Sequence, residues 1–122
     1  MIALKNGRLL NDEQQIEVAA QAVHITPNSG TDFWQRSYYG FQNNNAPALL
    51  WESAANFTFS VKINFSYQHR FDQCGLLIFL DEENWFKTSI EHETAQFARL
   101  GSVVTNFGYS DWATTDISPI ST

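Results

Sequence analysis

Glu91, His92 and Glu93 form the segment whose residue types and spacing come nearest to a catalytic arrangement. Glycoside hydrolysis uses two carboxyl groups, about 5–5.5 Å apart for retention of configuration and about 6.5–9.5 Å apart for inversion. On a β-strand, Glu91 and Glu93 share one face, with their Cβ atoms about 7 Å apart. That spacing is compatible with a hydrolase, but a solvated, charged strand face explains the same pattern. We assign no catalytic residue.

The same segment does not favour a metal site. Because side chains alternate along a strand, His92 points away from Glu91 and Glu93, so the three groups cannot bind one ion without a bulge. Residues 81–84 (Asp-Glu-Glu-Asn) offer oxygen ligands for calcium, yet they lack the spacing and the glycine of an EF-hand loop. A tight, charged hairpin turn is the better interpretation of 81–84. We predict neither a metal nor a cofactor.

Other common sequence signatures of enzymes are missing. The sequence contains no glycine-rich phosphate loop, no Gly-x-Ser-x-Gly elbow and no Cys-x-x-Cys pair, which removes the commonest nucleotide, esterase and redox functions. The single cysteine, Cys74, opens an apolar run, and we interpret it as a small buried hydrophobic residue rather than a reactive thiol.

A binding site is the remaining chemical possibility. On a strand, Trp85, Lys87 and Glu91 share one face. Saccharide sites need such a mixture, because a sugar presents apolar C–H faces as well as hydroxyl groups. The candidate ligand-binding residues are Arg36, Asp72, Gln73, Trp85, Lys87, Glu91, Asp111 and Trp112. The structural alternative is that Trp85 and Trp112 are packing anchors, while Lys87 and Glu91 form an ion pair worth only ~0.2–1 kcal/mol.

β-Strands are the elements that must position these residues, and the clearest strand pattern lies at 57–66. Apolar and polar residues alternate there, which predicts a strand with one core face and one wet face. The run 74–80 is apolar on both faces and predicts a central strand covered from both sides. After the turn at 81–84, residues 85–93 return as the second strand of an antiparallel hairpin.

Shorter strands and turns fill the rest of the chain. The other predicted strands are 22–27, 33–36, 48–51 and 100–106. Residues 12–23 fit either a helical turn or a strand, and we favour the strand; 108–112 is predicted to be a turn with two aromatic residues, and 118–122 a frayed end. Short strands separated by turns every ~8–12 residues predict an antiparallel β-sandwich with its core between Phe57 and Trp112.

Composition limits the classes of function. The chain has 122 residues, which fits one domain over 1–122, and 15% of them are aromatic. The net charge is −6, and the seven Lys and Arg form no basic stripe, which opposes binding to phosphate backbones. The N-terminus lacks the apolar segment of a secretory signal, and one cysteine allows no internal disulfide. We expect a soluble cytoplasmic domain that binds neither nucleic acid nor membrane.

Five motifs follow one another along the chain. They are Thr31-Asp32-Phe33-Trp34, Tyr38-Tyr39-Gly40-Phe41, Asp72-Gln73-Cys74-Gly75-Leu76, the segment 83–91 (Glu-Asn-Trp-Phe-Lys-Thr-Ser-Ile-Glu) and the segment 103–112, which ends in Ser110-Asp111-Trp112. This series resembles the DUF1349 family, which takes in a yeast regulator of enolase and many uncharacterised bacterial proteins. The resemblance covers about 22–116, and the ordered series is more specific than any single motif.

The resemblance implies a concanavalin A-like jelly roll of the lectin and glucanase superfamily, whose concave sheet often holds a saccharide. It favours a non-catalytic recognition domain for carbohydrate or another polar small molecule. Two alternatives are a protein-interaction module that regulates a metabolic enzyme and a cryptic glycoside hydrolase. Against the hydrolase, the superfamily's glucanases carry Glu-x-Asp-x-(x-)Glu on one strand, and no such string occurs in this sequence.

Family members commonly extend beyond the Ser-Asp-Trp motif through further strands, whereas this sequence stops at Thr122. The resemblance therefore implies a sandwich that lacks its C-terminal strands. Such a sandwich would leave sheet edges and apolar surface uncovered, which favours association between chains. We expect a homo-oligomer, or a C-terminal partner chain, that completes the sandwich.

Overall fold

The structure is a computed structural model that describes residues 2–11 and 15–119, and its regular elements there are β-strands and one short 3-10 helix at Leu4–Asn6. The strands are β1 (Arg8–Leu10), β2 (Gln15–Val18), β3 (Val23–Thr26), β4 (Phe33–Gln35), β5 (Gln42–Asn44), β6 (Ala48–Leu50), β7 (Gln73–Asp81), β8 (Asn84–His92), β9 (Ala98–Asn106) and β10 (Tyr109–Ile117). All the strand pairs are antiparallel. The predicted antiparallel all-β class is confirmed, and the arrangement agrees with a β-sandwich.

The four longest strands form one sheet, in the order β10-β9-β8-β7. Strands that follow one another in the chain are neighbours in the sheet, so local hairpins build it. The turn between β9 and β10 is tight, and its central residues Phe107 and Gly108 have positive φ angles of 48° and 80°. A two-residue hairpin of this kind matches the right-handed twist of the flanking strands.

Alternation along the strands gives this sheet two faces, which we call the front face and the back face. On the front face the register forms rows across β7, β8, β9 and β10: Phe79, Trp85, Thr105 and Ser110; Leu77, Lys87, Val103 and Trp112; Gly75, Ser89, Gly101 and Thr114; Gln73, Glu91, Arg99 and Asp116. The back face carries the intervening residues, among them Ile78, Leu80, Phe86 and Val104.

The buried core lies between the front face and β4. The ring of Phe33 meets Trp85 edge to face, with ring centroids 5.7 Å apart, and both pack with Val103. The backbone N–H of Gln35 donates to Ser110 Oγ at 2.8 Å, which ties β4 to β10. The prediction that the core starts at Phe57 is therefore wrong, because β4 supplies the covering layer.

Residues 57–66 do not form the predicted strand. They pair with no other strand among the described residues, and their first apolar side chains are exposed. Alternation makes a segment competent to be a strand, but a strand also needs a neighbour that supplies hydrogen-bond partners. Beyond this segment, Tyr67 stacks on His92 with ring centroids 3.9 Å apart, so the chain covers the back face at that end of β8.

Two other predictions need correction. The apolar run 74–80 lies in β7 as predicted, but β7 is an edge strand, and Leu80 is 79% exposed. An apolar run shows that both faces of a strand are apolar, not that both are covered. Residues 108–112 are not a turn, because Gly108 ends the turn and β10 (Tyr109–Ile117) starts directly after it.

Most of the remaining strand predictions are confirmed. The hairpin of β7 and β8 forms, and Asp81 Oδ1 accepts a hydrogen bond from the backbone N–H of Glu83 at 2.8 Å in its turn. β3, β4 and β6 lie inside their predicted ranges, and β9 contains the whole of 100–106. The strand interpretation of 12–23 is confirmed for β2, while 12–14 and 120–122 lie outside the described residues.

Candidate functional site

A network of five polar side chains, which we call the polar cluster, lies at the front face: Asp32, Gln73, Lys87, Ser89 and Glu91. Lys87 Nζ donates to Asp32 Oδ1 at 2.6 Å and to Gln73 Oε1 at 3.3 Å. Ser89 Oγ donates to the same Gln73 oxygen at 3.0 Å. The amide nitrogen of Gln73 donates to Glu91 Oε2 at 3.2 Å. Gln73 thus links the cationic and anionic ends of the cluster.

Two elements bring the polar cluster together. The β7–β8 hairpin pairs Gln73 with Glu91, and alternation puts Lys87 and Ser89 on the same face. Asp32 arrives from the other layer, immediately before β4, where its backbone N–H donates to Asn45 Oδ1 at 2.9 Å. The Lys87 side chain is 12% exposed, so its charge is largely shielded from water and is compensated by Asp32.

The carboxyl of Glu91 in this cluster has a raised pKa. Burial raises the pKa of its carboxyl above the ordinary value, and the Asp32 carboxylate raises it further. The cations of Lys87 and Arg99 act in the opposite direction. Glu91 therefore holds its negative charge less firmly than an exposed glutamate does.

Trp112 provides an aromatic surface next to the polar cluster. It is 44% exposed, and the guanidinium carbon of Arg99 lies 5.8 Å from its ring centroid. The indole leans over Gly101, where a Cβ would stand 2.8 Å from the indole nitrogen. Only a residue without a side chain lets Trp112 lie this close to the sheet.

A row of small residues separates Trp112 from the acidic end of the cluster. The row consists of Gly75, Ser89, Gly101 and Thr114. Larger side chains stand on both sides of it, and Glu91 lies directly opposite Arg99 in the neighbouring row. The Trp112 indole leans into this row over Gly101, so the front face carries hydrogen-bonding groups at Gln73 and Glu91 and a partly exposed indole on the same surface.

Glu93 has a structural role. Its side chain is buried and forms an ion pair with Arg70, and its other oxygen lies 3.5 Å from Arg99 Nη1. That second distance is within ion-pair range, although its geometry does not meet the requirements of a hydrogen bond. Glu93 is held by two arginines and Glu91 by Gln73, so these two residues do not form a pair of free carboxyl groups.

Trp85 is buried in the core rather than exposed as a stacking surface. Its side chain is 2% exposed and packs against Phe33, which favours the packing-anchor alternative for this residue. The alternative of an ion pair between Lys87 and Glu91 is wrong. Both lie on β8, and four residues along a strand span about 13 Å, beyond salt-bridge distance.

Three other candidate residues lie away from the cluster. Asp72 accepts hydrogen bonds from the backbone N–H groups of Gln68 and His69; burial opposes its ionised form, but these bonds leave its pKa lowered. Asp111 pairs with Val104 on the back face, opposite to its neighbour Trp112. Arg36 lies at the turn end of the sheet. Of the eight candidates, the structure places Gln73, Lys87, Glu91 and Trp112 on one surface.

Arg36 organises a second surface, the loop-end aromatic cluster. Its guanidinium pairs with Glu83 at 2.6 Å and donates to the carbonyl of Gly108 at 2.9 Å, which ties three loops together. A side chain on Gly108 would collide with both partners of this ion pair. The exposed aromatic residues of these loops are Tyr38, Tyr39, Phe41, Phe107 and Tyr109.

Sequence reasoning missed Asp32, Ser89 and Arg99. Asp32 was noted within a motif, but nothing local indicates that it meets a lysine 55 positions later. Ser89 is two positions from both Lys87 and Glu91, so alternation along the strand is a usable signal for it. The position of Arg99 follows from the register of β8 with β9, which the β-branched pattern alone does not determine.

Comparison with known proteins places the chain in a family. The model of the family described as "Protein of unknown function (DUF1349)" matches residues 9–121. This chain belongs to the DUF1349 family. The match extends further toward both ends than the 22–116 that the motifs indicated.

A curated relative of this DUF1349 chain is "Regulation of enolase protein 1" of Saccharomyces cerevisiae, which is 35% identical over 111 residues. The aligned region is 91% of this chain and 55% of the relative, so the chain spans about half the length of the curated relative it matches.

A solved structure, described as a functionally unknown protein from Saccharomyces cerevisiae, superposes with a TM-score of 0.75 at 26% sequence identity. The superposed region covers 93% of this chain and 60% of the solved chain. Within residues 2–11 and 15–119, no helix is long and apolar enough to cross a membrane. The cytoplasmic location stays a prediction.

Proposed function

We propose that this DUF1349 domain is a non-catalytic recognition domain that binds carbohydrate or another polar small molecule on the front face. The observation that carries the proposal is that Trp112 lies on the same sheet face as Gln73 and Glu91, with its partly exposed indole over Gly101 in the row between them. An exposed indole suits the C–H face of a sugar, and the carboxylate and amide suit its hydroxyl groups. A concanavalin A-like sandwich would use the same surface for its ligand.

The electrostatics of the front face agree with a neutral, hydroxyl-rich ligand. Lys87 pairs with Asp32, and Arg99 pairs with Glu93 and Asp116, so both cations of this surface already have carboxylate partners. A charged ligand would have to displace one of these pairs at a desolvation cost. A sugar hydroxyl can instead donate to Glu91 and accept from Arg99 while both keep their existing partners.

Titration calorimetry with a panel of neutral mono- and oligosaccharides tests the proposal. For the saccharide that binds, Trp112→Ala and Glu91→Gln should each raise Kd at least tenfold. Tyr109→Ala is the matched control, because Tyr109 is also an exposed aromatic residue of β10 but lies at the turn end. No saccharide heat, or equal losses in Trp112→Ala and Tyr109→Ala, would contradict a front-face site.

A second candidate function is a protein-interaction module that regulates a metabolic enzyme. The loop-end aromatic cluster favours it, since Tyr and Phe are enriched at protein interfaces and Tyr39 is 88% exposed. The Arg36–Glu83 ion pair holds these loops in place, which lowers the entropy cost of docking. The name of the yeast relative, "Regulation of enolase protein 1", indicates enolase as the partner to try first.

Biolayer interferometry against purified yeast enolase separates the two functions. Under the interaction hypothesis, Tyr39→Ala and Phe107→Ala should weaken enolase binding at least tenfold, whereas Trp112→Ala should leave it unchanged. Saccharide binding should show the reverse sensitivity. An enolase complex that loses affinity with Trp112→Ala alone would assign the front face, not the loops, to protein recognition.

A further inference from the structure

Gln73 lies at the centre of the polar cluster, and the two ends of its carboxamide have contrasting neighbours. Its Oε1 accepts hydrogen bonds from Lys87 Nζ at 3.3 Å and from Ser89 Oγ at 3.0 Å. Its Nε2 donates to Glu91 Oε2 at 3.2 Å. An ammonium group can only donate hydrogen bonds, and an ionised carboxylate can only accept them. The two ends of the amide are therefore not interchangeable.

These neighbours fix the amide in one orientation. If the amide were turned over, its NH2 group would face the Lys87 ammonium and its oxygen would face the Glu91 carboxylate, and both contacts would be repulsive. Lys87 is itself held, because its Nζ donates to Asp32 Oδ1 at 2.6 Å and its side chain is only 12% exposed. The charge of Lys87 thus sets the direction of the amide, and the amide sets the position of the Glu91 carboxylate.

The contact between Gln73 and Glu91 leaves one donor and one acceptor unused. The Gln73 amide nitrogen carries two hydrogens, and within residues 2–11 and 15–119 only Glu91 Oε2 accepts from it. Glu91 Oε1 accepts from no group in the described part of the chain, and it is not sealed from water. A donor and an acceptor held side by side match two neighbouring hydroxyl groups of a ligand, one accepting and the other donating.

We infer that Gln73 is the positioning residue of the front-face site: its amide, oriented by Lys87 and Ser89, holds the Glu91 carboxylate in place and keeps one N–H for a ligand hydroxyl. The role in ligand binding rests on the proposed function, whereas the orientation of the amide does not. The ligand class that fits this geometry is a neutral saccharide with two adjacent free hydroxyl groups.

The ionisation of Glu91 provides a readout of this contact. Burial raises the pKa of the Glu91 carboxyl, and nearby charges modify it in both directions. The charged side chains that act on it are Asp32, Lys87, Glu93 and Arg99. A hydrogen bond from the neutral amide of Gln73 favours the ionised carboxylate without adding a charge. Replacing Gln73 should therefore move the titration of Glu91 in a direction that depends on the new side chain.

NMR of the ligand-free parent protein tests the orientation without relying on a variant that must fold. We expect the two side-chain N–H signals of Gln73, assigned by their absence in Gln73→Met, to shift with pH at the same midpoint as the carboxyl carbon of Glu91. In Glu91→Gln this shift should vanish. Side-chain N–H signals of Gln73 that do not respond to the titration of Glu91 would overturn the inference.

Two substitutions of Gln73 separate positioning from a merely structural role. Gln73→Met removes the N–H and should raise the pKa of Glu91, while Gln73→Glu keeps the shape but sets a second carboxyl against Glu91 and should raise that pKa by about one unit or more. Gln42→Glu is the matched control, because Gln42 is also the first residue of a strand and is exposed, and it should leave the titration unchanged. Circular dichroism checks that the variants fold. An unchanged Glu91 titration in both folded Gln73 variants overturns the inference.

Titration calorimetry with maltotriose, cellotriose and laminaritriose connects positioning to binding. For a trisaccharide that binds the parent protein, Gln73→Glu should raise Kd at least tenfold at pH 7. Part of the affinity should return at pH 5, because a proton shared between the two carboxyl groups restores a donor beside an acceptor. Gln73→Met has no donor and should stay weak at both pH values. A loss in Gln73→Glu that is the same at pH 5 and pH 7 would contradict the positioning role.

The outcome is separable from that of the proposed function. If none of the three trisaccharides binds while the Gln73 and Glu91 signals titrate together, the front-face ligand site is contradicted and the orientation of the amide stands. If a trisaccharide binds and both Gln73 variants keep the parent affinity, the ligand site stands and Gln73 is not its positioning residue.

Discussion

Lys87 Nζ lies 2.6 Å from Asp32 Oδ1, although 55 positions separate the two residues in the chain. This ion pair connects β8 with the loop that precedes β4, and it stands next to the core contact between Phe33 and Trp85. It therefore joins the layer that carries the polar cluster to the layer that covers it. A contact of this kind positions the site and stabilises the fold at the same time.

Removal of the Lys87 charge should destabilise the protein. Lys87→Met keeps most of the side-chain volume but leaves Asp32 without its cation and Gln73 without a donor. Because hydrogen bonds to charged groups contribute about 1.5–3 kcal/mol and Asp32 is partly solvated, we expect a loss of about 1–2 kcal/mol in the free energy of unfolding. Urea denaturation measures it. Lys62→Met, at an exposed position, is the matched control and should change stability by less than about 0.5 kcal/mol.

Glu91 should make stability depend on pH. Its folded-state pKa is raised, so the folded chain binds this proton more tightly than the unfolded chain does. The contribution of Glu91 to stability is therefore greatest below the unfolded pKa, and it falls as the pH rises through the interval up to the folded pKa. Relative to the parent, Glu91→Gln should therefore gain stability between pH 4 and pH 7. Thermal denaturation across that range checks this, and a parallel decline in both proteins would contradict it.

Glu93 should be more important for folding than for ligand binding. Its buried carboxylate pairs with Arg70 and Arg99, so Glu93→Gln leaves these cations without their counter-charge. We expect a loss of about 1.5–3 kcal/mol in the free energy of unfolding, typical of hydrogen bonds to charged groups. Guanidinium denaturation measures the loss, and the exposed Glu52→Gln serves as the control. If Glu93→Gln instead left stability unchanged and abolished saccharide binding, Glu93 would belong to the ligand site.

Replacing Trp85 with Phe, which removes the indole nitrogen, should destabilise the protein less than replacing it with Ala, which removes the ring. Within the described residues its indole N–H has no hydrogen-bond partner, so Trp85→Phe gives up no bond and relieves a buried, unsatisfied donor. We expect Trp85→Phe to cost less than about 2 kcal/mol, and Trp85→Ala to cost about 3–5 kcal/mol because it leaves a cavity against Phe33. Equal losses in the two variants would show that the N–H, not the ring, makes the important contact.

Residue patterns within short segments predicted those parts of the fold that are built by contacts between residues close in sequence. The apolar run before 81–84 and the alternation after it predicted the β7–β8 hairpin, which pairs Gln73 with Glu91. The residue types at 107–112 did not show where the Phe107-Gly108 turn ends and β10 begins, because aromatic residues occur in both turns and strands. The hairpin nevertheless brings together four of the five residues of the polar cluster, since Gln73, Lys87, Ser89 and Glu91 lie close to one another in the sequence.

The sequence by itself determined the all-β class, most strand positions and the family, because alternation and motif order are properties of short segments. The tertiary structure decided which apolar residues are covered. Trp85 and the alternate residues of 57–66 are both apolar by sequence, but Trp85 is buried by Phe33 of the distant strand β4, whereas 57–66 meets no partner strand among the described residues. The cause is physical: a strand's faces are set by its own residues, but burial and pairing depend on what another segment brings to them.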